Sequence, residues 1–284
     1  MWVFVSDLHG RRERWQKLFD LIAAERPAVV LLGGDLLPHA WAAHDDERAE
    51  GDFILDALAP RFADLRAQLG AAYPRVLLIL GNDDPRVEEQ AVLEAARQGV
   101  WEYLHQRRAT VGAYAVYGYA FVPPTPFLLK DWERYDVSRH VEPGSVSPEE
   151  GRRTVPVSER EVRWRTIAED LAELFAEPDL IHAIGLFHAP PYQTALDRAA
   201  LDGRMVDFAP LDVHVGSVAV RRFIEERQPL VTLHGHIHES AQLTGRWREQ
   251  IGRTQCFSAA HDGPELAVVR FDPADPDKAT RELL

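Results

Sequence analysis

The sequence predicts an α/β protein organised around a parallel sheet, and three observations carry that expectation. Apolar runs of strand length recur along the chain. Stretches with helical spacing of apolar residues separate them, the alternation that βαβ units produce. Glycines close several of the runs, at Gly33-Gly34, Gly81 and Gly235, where a strand has to stop and turn. The composition agrees: 284 residues, 46% hydrophobic and 27% charged, a profile that excludes disordered, collagen-like and disulfide-scaffold classes. A chain this long hides about three quarters of the surface it exposes when unfolded, enough for one large core.

Taken in order, Trp2–Val5 reads as a short buried strand. Trp15, Leu18, Phe19 and Ile22 follow i, i+3, i+4, i+7 and predict an amphipathic helix. Ala28–Leu32 is a second strand, residues 48–69 a helix broken or kinked at Pro60, and Val76–Leu80 a third strand. Val87–Arg97 is again helical. Val111–Tyr119 alternates as a strand does and leads into a stretch, about 121–157, rich in Pro, Gly, Ser and charge and without a period. An irregular segment of that length is expected to be an insertion that borders the active site. Trp164, Ile167, Leu171, Leu174 and Phe175 mark a helix before the strand Leu180–Phe187. A helix at about 217–227 precedes the strand Leu230–Leu233, and short strands near 240–244, 251–257 and 266–271 look antiparallel. There is no internal repeat, and no linker divides the chain. A single domain over residues 1–284 is the expectation.

Composition also narrows the function classes. The net charge is −13, from 45 acidic and 32 basic residues, so broad binding to nucleic acid or an anionic membrane is disfavoured. A small phosphorylated substrate held through metal ions is not. No apolar run approaches the roughly 20 residues that span a bilayer, and Met1–Asp7 does not resemble a secretion signal. The one cysteine, Cys256, excludes an internal disulfide framework and a thiolate zinc cluster. No basic residue adjoins it, so burial and inertness are expected. The cytoplasm is the expected compartment.

Five short motifs stand where apolar runs end: Ser6-Asp7-Leu8-His9-Gly10, Gly33-Gly34-Asp35, Gly81-Asn82-Asp83-Asp84, Phe187-His188-Ala189-Pro190-Pro191 and His234-Gly235-His236-Ile237-His238. In open α/β sheets ligands bind beyond the carboxyl ends of strands, so the five loops can meet at one place. Their side chains are carboxylates, imidazoles and a carboxamide. That mixture suits Mn²⁺, Fe or Zn²⁺ better than Ca²⁺ or a structural zinc, with Mn²⁺ first and Mg²⁺ a further candidate. If the segment is extended, Asp7 and His9, two residues apart, point to one side, and His236 and His238 repeat the arrangement. Glycines beside them let the backbone turn and approach the ions. Five such motifs in one chain point to a dinuclear metal site.

The series D-x-H, G-G-D, G-N-x-D, a lone His and G-H-x-H resembles the calcineurin-like metallophosphoesterase superfamily, from Asp7 to His238. The resemblance implies two packed mixed β-sheets flanked by helices, a four-layer αββα sandwich, with two metals at the sheet edge. It also implies a ligand set: Asp7, His9, Asp35 and His238 on one metal, and Asp35, Asn82, His188 and His236 on the other, with Asp35 bridging. His188-Ala-Pro-Pro-Tyr, His214-Val-Gly-Ser217 and Gly235-His-Ile-His-Glu-Ser240 look most like poorly characterised prokaryotic members. The implied chemistry is hydrolysis of a phosphodiester by a metal-bridging hydroxide. A nucleotide-conjugate pyrophosphatase or a phosphomonoesterase is the alternative. A metal-binding protein-interaction module is the non-enzyme alternative, and the complete ligand set speaks against it.

One departure bears on the leaving group. Many members read G-N-H-D at the third motif, with the His near the departing oxygen. This chain has Asp83 there, and Asp84 matches the usual Asp. A carboxylate beside two cations seldom carries a proton to give. Diesters are then favoured over monoesters, or another acid serves. His39, His44, His105, His140, His214 and His261 are the candidates, with Asp83, Asp84 and His214 as the catalytic expectation beside the metals. His234 is expected to pack at its strand end and His182 in the core. Phe121, Phe127, Trp132 and Tyr135 are expected to cover the core, and Arg134, Arg139, Arg152 and Arg153 to lie on a solvated face. Phe257-Ser258-Ala259-Ala260-His261 replaces the usual turn after the last strand of the family, so the pocket wall differs there.

Overall fold

The strands that form the centre of this computed structural model are buried on both faces, which explains why they read as unbroken apolar runs. The structure describes residues 1–38 and 52–284. Its first elements are β1 (Trp2–Val5), α1 (Arg12–Glu25) and β2 (Val29–Gly33). A π-helical turn, Phe53–Leu58, runs into α2 (Ala59–Leu69), followed by β3 (Arg75–Ile79), α3 (Glu89–Arg97) and β4 (Glu102–Tyr103). The middle of the chain holds β5 (Arg107–Val111), β6 (Tyr114–Tyr119), α4 (Glu159–Trp164), α5 (Ile167–Leu174) and β7 (Ala183–Phe187). A small hairpin, β8 (Met205–Val206) and β9 (Ala209–Pro210), precedes α6 (Val218–Arg227) and β10 (Val231–His234). The chain closes with α7 (Ser240–Thr244), β11 (Arg248–Ile251), β12 (Thr254–Ser258), β13 (Ala267–Phe271) and β14 (Thr280–Leu283).

Two six-stranded mixed sheets result, in the orders β14-β13-β1-β2-β3-β4 and β11-β12-β10-β7-β6-β5. In each, four neighbouring strands run parallel; antiparallel pairing adds β13 and β14 at one edge of the first sheet, and β11 and β5 at the two edges of the second. Helices flank the pair of sheets, so the expected two-sheet sandwich is present. On the first sheet, an aromatic chain of Trp15, Phe19, Phe62 and Trp101 joins α1 and α2 to the approach to β4, with ring centroids 5.0–6.2 Å apart. On the second, Phe175 after α5 and Phe223 on α6 pack 4.4 Å apart against Tyr117 and Phe187. Such contacts add to the burial that drives folding.

Local chemistry moves several boundaries. Pro60 falls in the first turn of α2, where the π-helical turn gives way to α-helix, so the helical stretch breaks type at the expected place. The strand expected over 111–119 is present from Tyr114 as β6, while its first residues form a hairpin turn, since Gly112 takes φ 59° and Val111, the end of β5, pairs with Tyr114. The helix expected over 164–175 restarts at Thr166, which forms a capping box with Glu169. Residues 240–244 are helical, not a strand, and 251–257 is split by a turn at Gly252. The strand β12 runs parallel to β10 and antiparallel only to β11. His182 is exposed against Tyr114 just ahead of β7, not in the core. No helix among the described residues is long and apolar enough to cross a membrane.

Candidate metal centre

Three loops of the first sheet and two of the second converge where β1, β2, β3, β7 and β10 end. The parallel pairing of β1 and β2 continues past the strands as hydrogen bonds from Asp7, His9 and Gly10 amides to the Gly34, Asp35 and Leu36 carbonyls, at 2.8–2.9 Å. The two sheets are stitched together at the site. The His188 Nδ1 lies 2.8 Å from the Gly33 carbonyl, and the His236 amide donates to Asp7 Oδ1 at 3.0 Å.

Ligand atoms of Asp7, His9, Asp35 and His238 all lie within 4.8 Å of one another, and those of Asp35, His188 and His236 do so as well. Asn82 completes the second group, its Oδ1 3.0 Å from His188 Nε2, while its Nδ2 donates to Asp83 and fixes which way the amide faces. All seven sequence-predicted ligands therefore meet, in the two sets the resemblance implies, with Asp35 in both. Asp7, Asp35, Asn82 and His188 are buried.

The arrangement fits a divalent cation. His9 Nε2 and His238 Nε2 face each other at 3.0 Å, and His238 Nε2 lies 3.3 Å from Asp7 Oδ1. Imidazole nitrogens and carboxylate oxygens converge there, the donor set that a divalent cation takes. The Gly33 carbonyl takes the Nδ1 proton of His188 and leaves Nε2 for the cluster, the second-partner pattern of metal-bound imidazoles. A Cβ on Gly34 would sit 2.7 Å from His188 Nδ1, and one on Gly81 2.3 Å from Asp35 Oδ1. Glycine is required at both.

Charges follow from burial and neighbours. Burial raises the Asp7 carboxyl, but His238 and His188 outweigh it and bring it down to about 2. Asp35 is held low against its burial by His188, which is in turn driven up to about 10, against burial, by Asp35. Burial and the His188 charge push His236 down to about 3. Asp83 lies 3.8 Å from His9 Nδ1 with its side chain 29% exposed, and burial with the Asp35 charge lifts it to about 7.

The extended geometry expected for the D-x-H and H-x-H pairs is not what unites them. Asp7, His9, Asp35 and His236 have φ of 57°, 49°, 52° and 75°, a left-handed region costly for residues with a Cβ and typical of functional sites. Two residues that the sequence reading missed support this backbone. Ser6 Oγ donates to Asp7 Oδ2, and the buried Arg14 on α1 donates to the carbonyls of Asp7 and Gly263. A charged residue in line with Leu18 and Leu21 on the buried face of α1 was the available signal for Arg14.

The other expected site residues divide. Asp84 is fully buried, and its oxygens accept the amides of Leu36, Leu37 and Gly81 at 2.8–3.1 Å. It fastens the Asp35 loop to the Asn82 loop. His105 is buried among Tyr119, Phe121 and Trp132. His234 is satisfied at both nitrogens by the Ala189 carbonyl and Thr232. His39 and His44 lie outside the described residues. Cys256 is buried, its thiol pushed up to about 12 by burial.

The 121–157 segment touches the third motif: Trp132 Nε1 donates to the Asp84 carbonyl at 2.8 Å, and the Arg86 amide to Asp131 at 2.8 Å. Phe121, Trp132 and Tyr135 are buried as expected, whereas Phe127 is 59% exposed. Arg134 is not on a solvated face; it is buried and paired with Asp170 and Glu161. A cavity of about 180 Å³ lined by Arg108, Tyr114, Glu177 and His182 opens at the opposite ends of β6 and β7, away from this chemistry.

The chain matches the calcineurin-like phosphoesterase family over residues 3–240. It is similar to a crystal structure at TM-score 0.59 and 17% identity, covering 99% of this chain and 98% of that one. The crystal structure of TT1561 from Thermus thermophilus aligns at TM-score 0.56 and 17% identity, covering 99% and 97%. At such identities the likeness is one of fold. A structure described as a novel archaeal phosphodiesterase aligns at TM-score 0.42 and 9% identity, covering 100% and 99%, too distant to bear on activity. Among curated proteins, none matches this chain.

Proposed function

Since the chain belongs to the calcineurin-like phosphoesterase family, we propose that it hydrolyses a small phosphodiester with two divalent metal ions bound at the junction of its sheets. The observation that carries this reading is the presence of Asp35 in both ligand groups. Four imidazoles, two carboxylates and one amide oxygen, without a thiolate, suit Mn²⁺ first, then Fe, Zn²⁺ or Mg²⁺. Bound there, a metal pair supplies a hydroxide nucleophile at neutral pH and neutralises charge on the phosphoryl oxygens.

The chain's own residues do the rest. Asp35 ties the two groups together, and Asp84 holds its loop against that of Asn82. Ser6 and Arg14 fix the orientation of Asp7. Asp83 brings a further carboxyl to the rim, beside His9. As an anion it opposes a dianionic monoester more than a monoanionic diester. Among small substrates, diesters are therefore preferred.

The reading is tested by loading the purified protein with Mn²⁺ and comparing bis-p-nitrophenyl phosphate with p-nitrophenyl phosphate, alongside metal analysis. Diester turnover above monoester turnover, with two ions per chain, is the expected result. A protein that binds metal and turns over neither ester sinks it.

A further inference from the structure

A long loop leaves the site after His188 and returns at Ser217, the N-cap of α6. Two hydrogen bonds tie it to residues that neighbour candidate ligands in sequence. Near its start, the Ser217 amide donates to the Pro190 carbonyl at 2.8 Å, two residues from His188. Further along, the Ala200 amide donates to Glu239 at 3.1 Å, next to His238. His214 lies on the return limb between these anchors, bridged antiparallel to Arg198.

One carboxylate organises this limb. Asp197 is fully buried and accepts the amides of Gln193, Thr194 and Gly216 at 2.9–3.1 Å. Its fourth partner is His214 Nδ1, at 2.8 Å. An anion surrounded by donors has only lone pairs to offer, so Nδ1 of His214 must carry its proton inward. Nε2 then faces away from Asp197, on a side chain 29% exposed. Among the described residues, no hydrogen bond occupies that nitrogen. The histidine is held on the other side by Asp212, which accepts its amide, and by the Tyr192 ring. Gly216 makes the close approach possible, since a Cβ there would lie 2.7 Å from the Pro190 carbonyl oxygen and 2.8 Å from the Asp197 Cβ.

The other described histidines that stand outside the ligand set are differently placed. His105 is buried among aromatic rings, and His234 has both nitrogens engaged. His182 lines the cavity at the far end of β7. His261 has its Nε2 on Glu265, and His140 is on Glu142 in an exposed part of the 121–157 segment. His214 alone among them pairs a buried carboxylate at one nitrogen with an open second nitrogen on a loop anchored beside two ligands.

We propose that Asp197 and His214 form a carboxylate–imidazole pair that delivers the proton to the departing alcohol, with His214 as donor and Asp197 as the residue that positions it. This rests on the phosphodiesterase reading above and deepens it: the substrate is a diester of an ordinary, unactivated alcohol, whose alkoxide leaves poorly without a proton. As the attacking hydroxide oxygen bonds to phosphorus, the bond to the leaving oxygen breaks and its electron pair stays on that oxygen. The proton on Nε2 of the imidazolium passes to it, and the N–H electron pair remains on the ring. Solvent water restores the proton. Asp197 keeps Nδ1 protonated throughout and so keeps Nε2 as the reacting nitrogen, the division of labour found in other carboxylate–histidine pairs.

The test uses leaving groups. Wild type, His214→Gln and Asp197→Asn, matched for metal content, are assayed on an alkyl diester and on bis-p-nitrophenyl phosphate. A general acid is worth about 10²–10⁴-fold when the leaving group needs it. His214→Gln is expected to lose about 100-fold or more of kcat on the alkyl diester and far less on the nitrophenyl diester. Asp197→Asn follows the same selectivity to a smaller degree. In the metal-free protein, ¹⁵N–¹H correlations of the His214 ring should show Nδ1 protonated in wild type and a changed tautomer population in Asp197→Asn. Equal losses on both substrates, unchanged rates on both, or a wild-type ring protonated at Nε2 alone would overturn the pair. A wild type inactive on both diesters would instead fell the phosphodiesterase reading, and this inference with it.

Discussion

Two regions of this molecule bury charge, and they do so in opposite ways. In the 121–157 segment the charges satisfy one another. Lys130 and Glu133 are both fully buried and paired, with Lys130 also on the Thr125 carbonyl at 2.9 Å and Thr125 donating twice to Glu133. Asp136 accepts the Ser217 hydroxyl and the amides of Val218 and Ala219 at 2.6–3.1 Å, capping α6. At the metal centre carboxylates and imidazoles from separate loops converge in two groups, the ligand atoms of each within 4.8 Å of one another, on a backbone with four left-handed non-glycine residues. A self-satisfied network braces a fold. A convergence of carboxylates and imidazoles at strand ends is the arrangement that a cation fits.

The largest effect expected from breaking that contrast is at Asp35. Asp35→Ala removes the one ligand common to both groups, and a metal's stabilisation of the transition state is worth several kcal/mol. Activity on the diester should fall about 10³-fold or more, with metal content below that of any other single-ligand variant. Equal losses in Asp7→Ala and Asp35→Ala would mean that Asp35 is not shared.

The second effect is on stability and belongs to the brace. Lys130→Ala leaves Glu133 buried without its cation, a change that costs about 3–5 kcal/mol. Urea unfolding should report that loss, while metal content per folded molecule stays as in wild type. Replacing both partners, Lys130→Met with Glu133→Leu, should recover much of it, because removing a buried pair is cheaper than breaking one. If the single variant loses metal without losing stability, the segment is part of the site rather than its support. The same logic makes exchange of the whole segment for a short linker a structural insult, since Trp132 and Asp131 hold the loop after β3.

The contrast also explains what was legible in the sequence. The candidate ligands stand at the ends of strands buried on both faces, so an apolar run that stops at a polar residue, in three of the five motifs through a Gly, marks each of them. The sheets read clearly for the same reason. Where one or two residues redirect the chain, the pattern fails: Gly112 and Gly252 make hairpins inside what looks like one strand, and Thr166 restarts a helix. Partners far apart in sequence leave no periodic trace at all. Asp197 with His214, Arg14 with Gly263, and Trp132 with Asp84 meet only through the fold. Even the ligand geometry had a hidden cause, left-handed backbone in place of an extended one.

The smallest expected effect is at Asp83, the carboxyl that belongs to neither class. It is not in either ligand group, and its side chain is 29% exposed beside His9. Burial and the Asp35 charge lift it to about 7 in the metal-free protein, while two cations would favour its anion. An anion at the rim repels the second charge of a monoester and has no proton for its leaving oxygen. Asp83→His reverses the first effect and, where the imidazole reaches that oxygen, the second. The monoester rate should rise relative to the diester rate by about tenfold, a difference of ~1.4 kcal/mol in barrier. The ratio is read at fixed metal occupancy, because Asp83 receives the Asn82 amide and so influences how that ligand is presented. A wild type that prefers the monoester, with a ratio unmoved by the substitution, would assign Asp83 to the brace and leave charge selection to other groups on the rim.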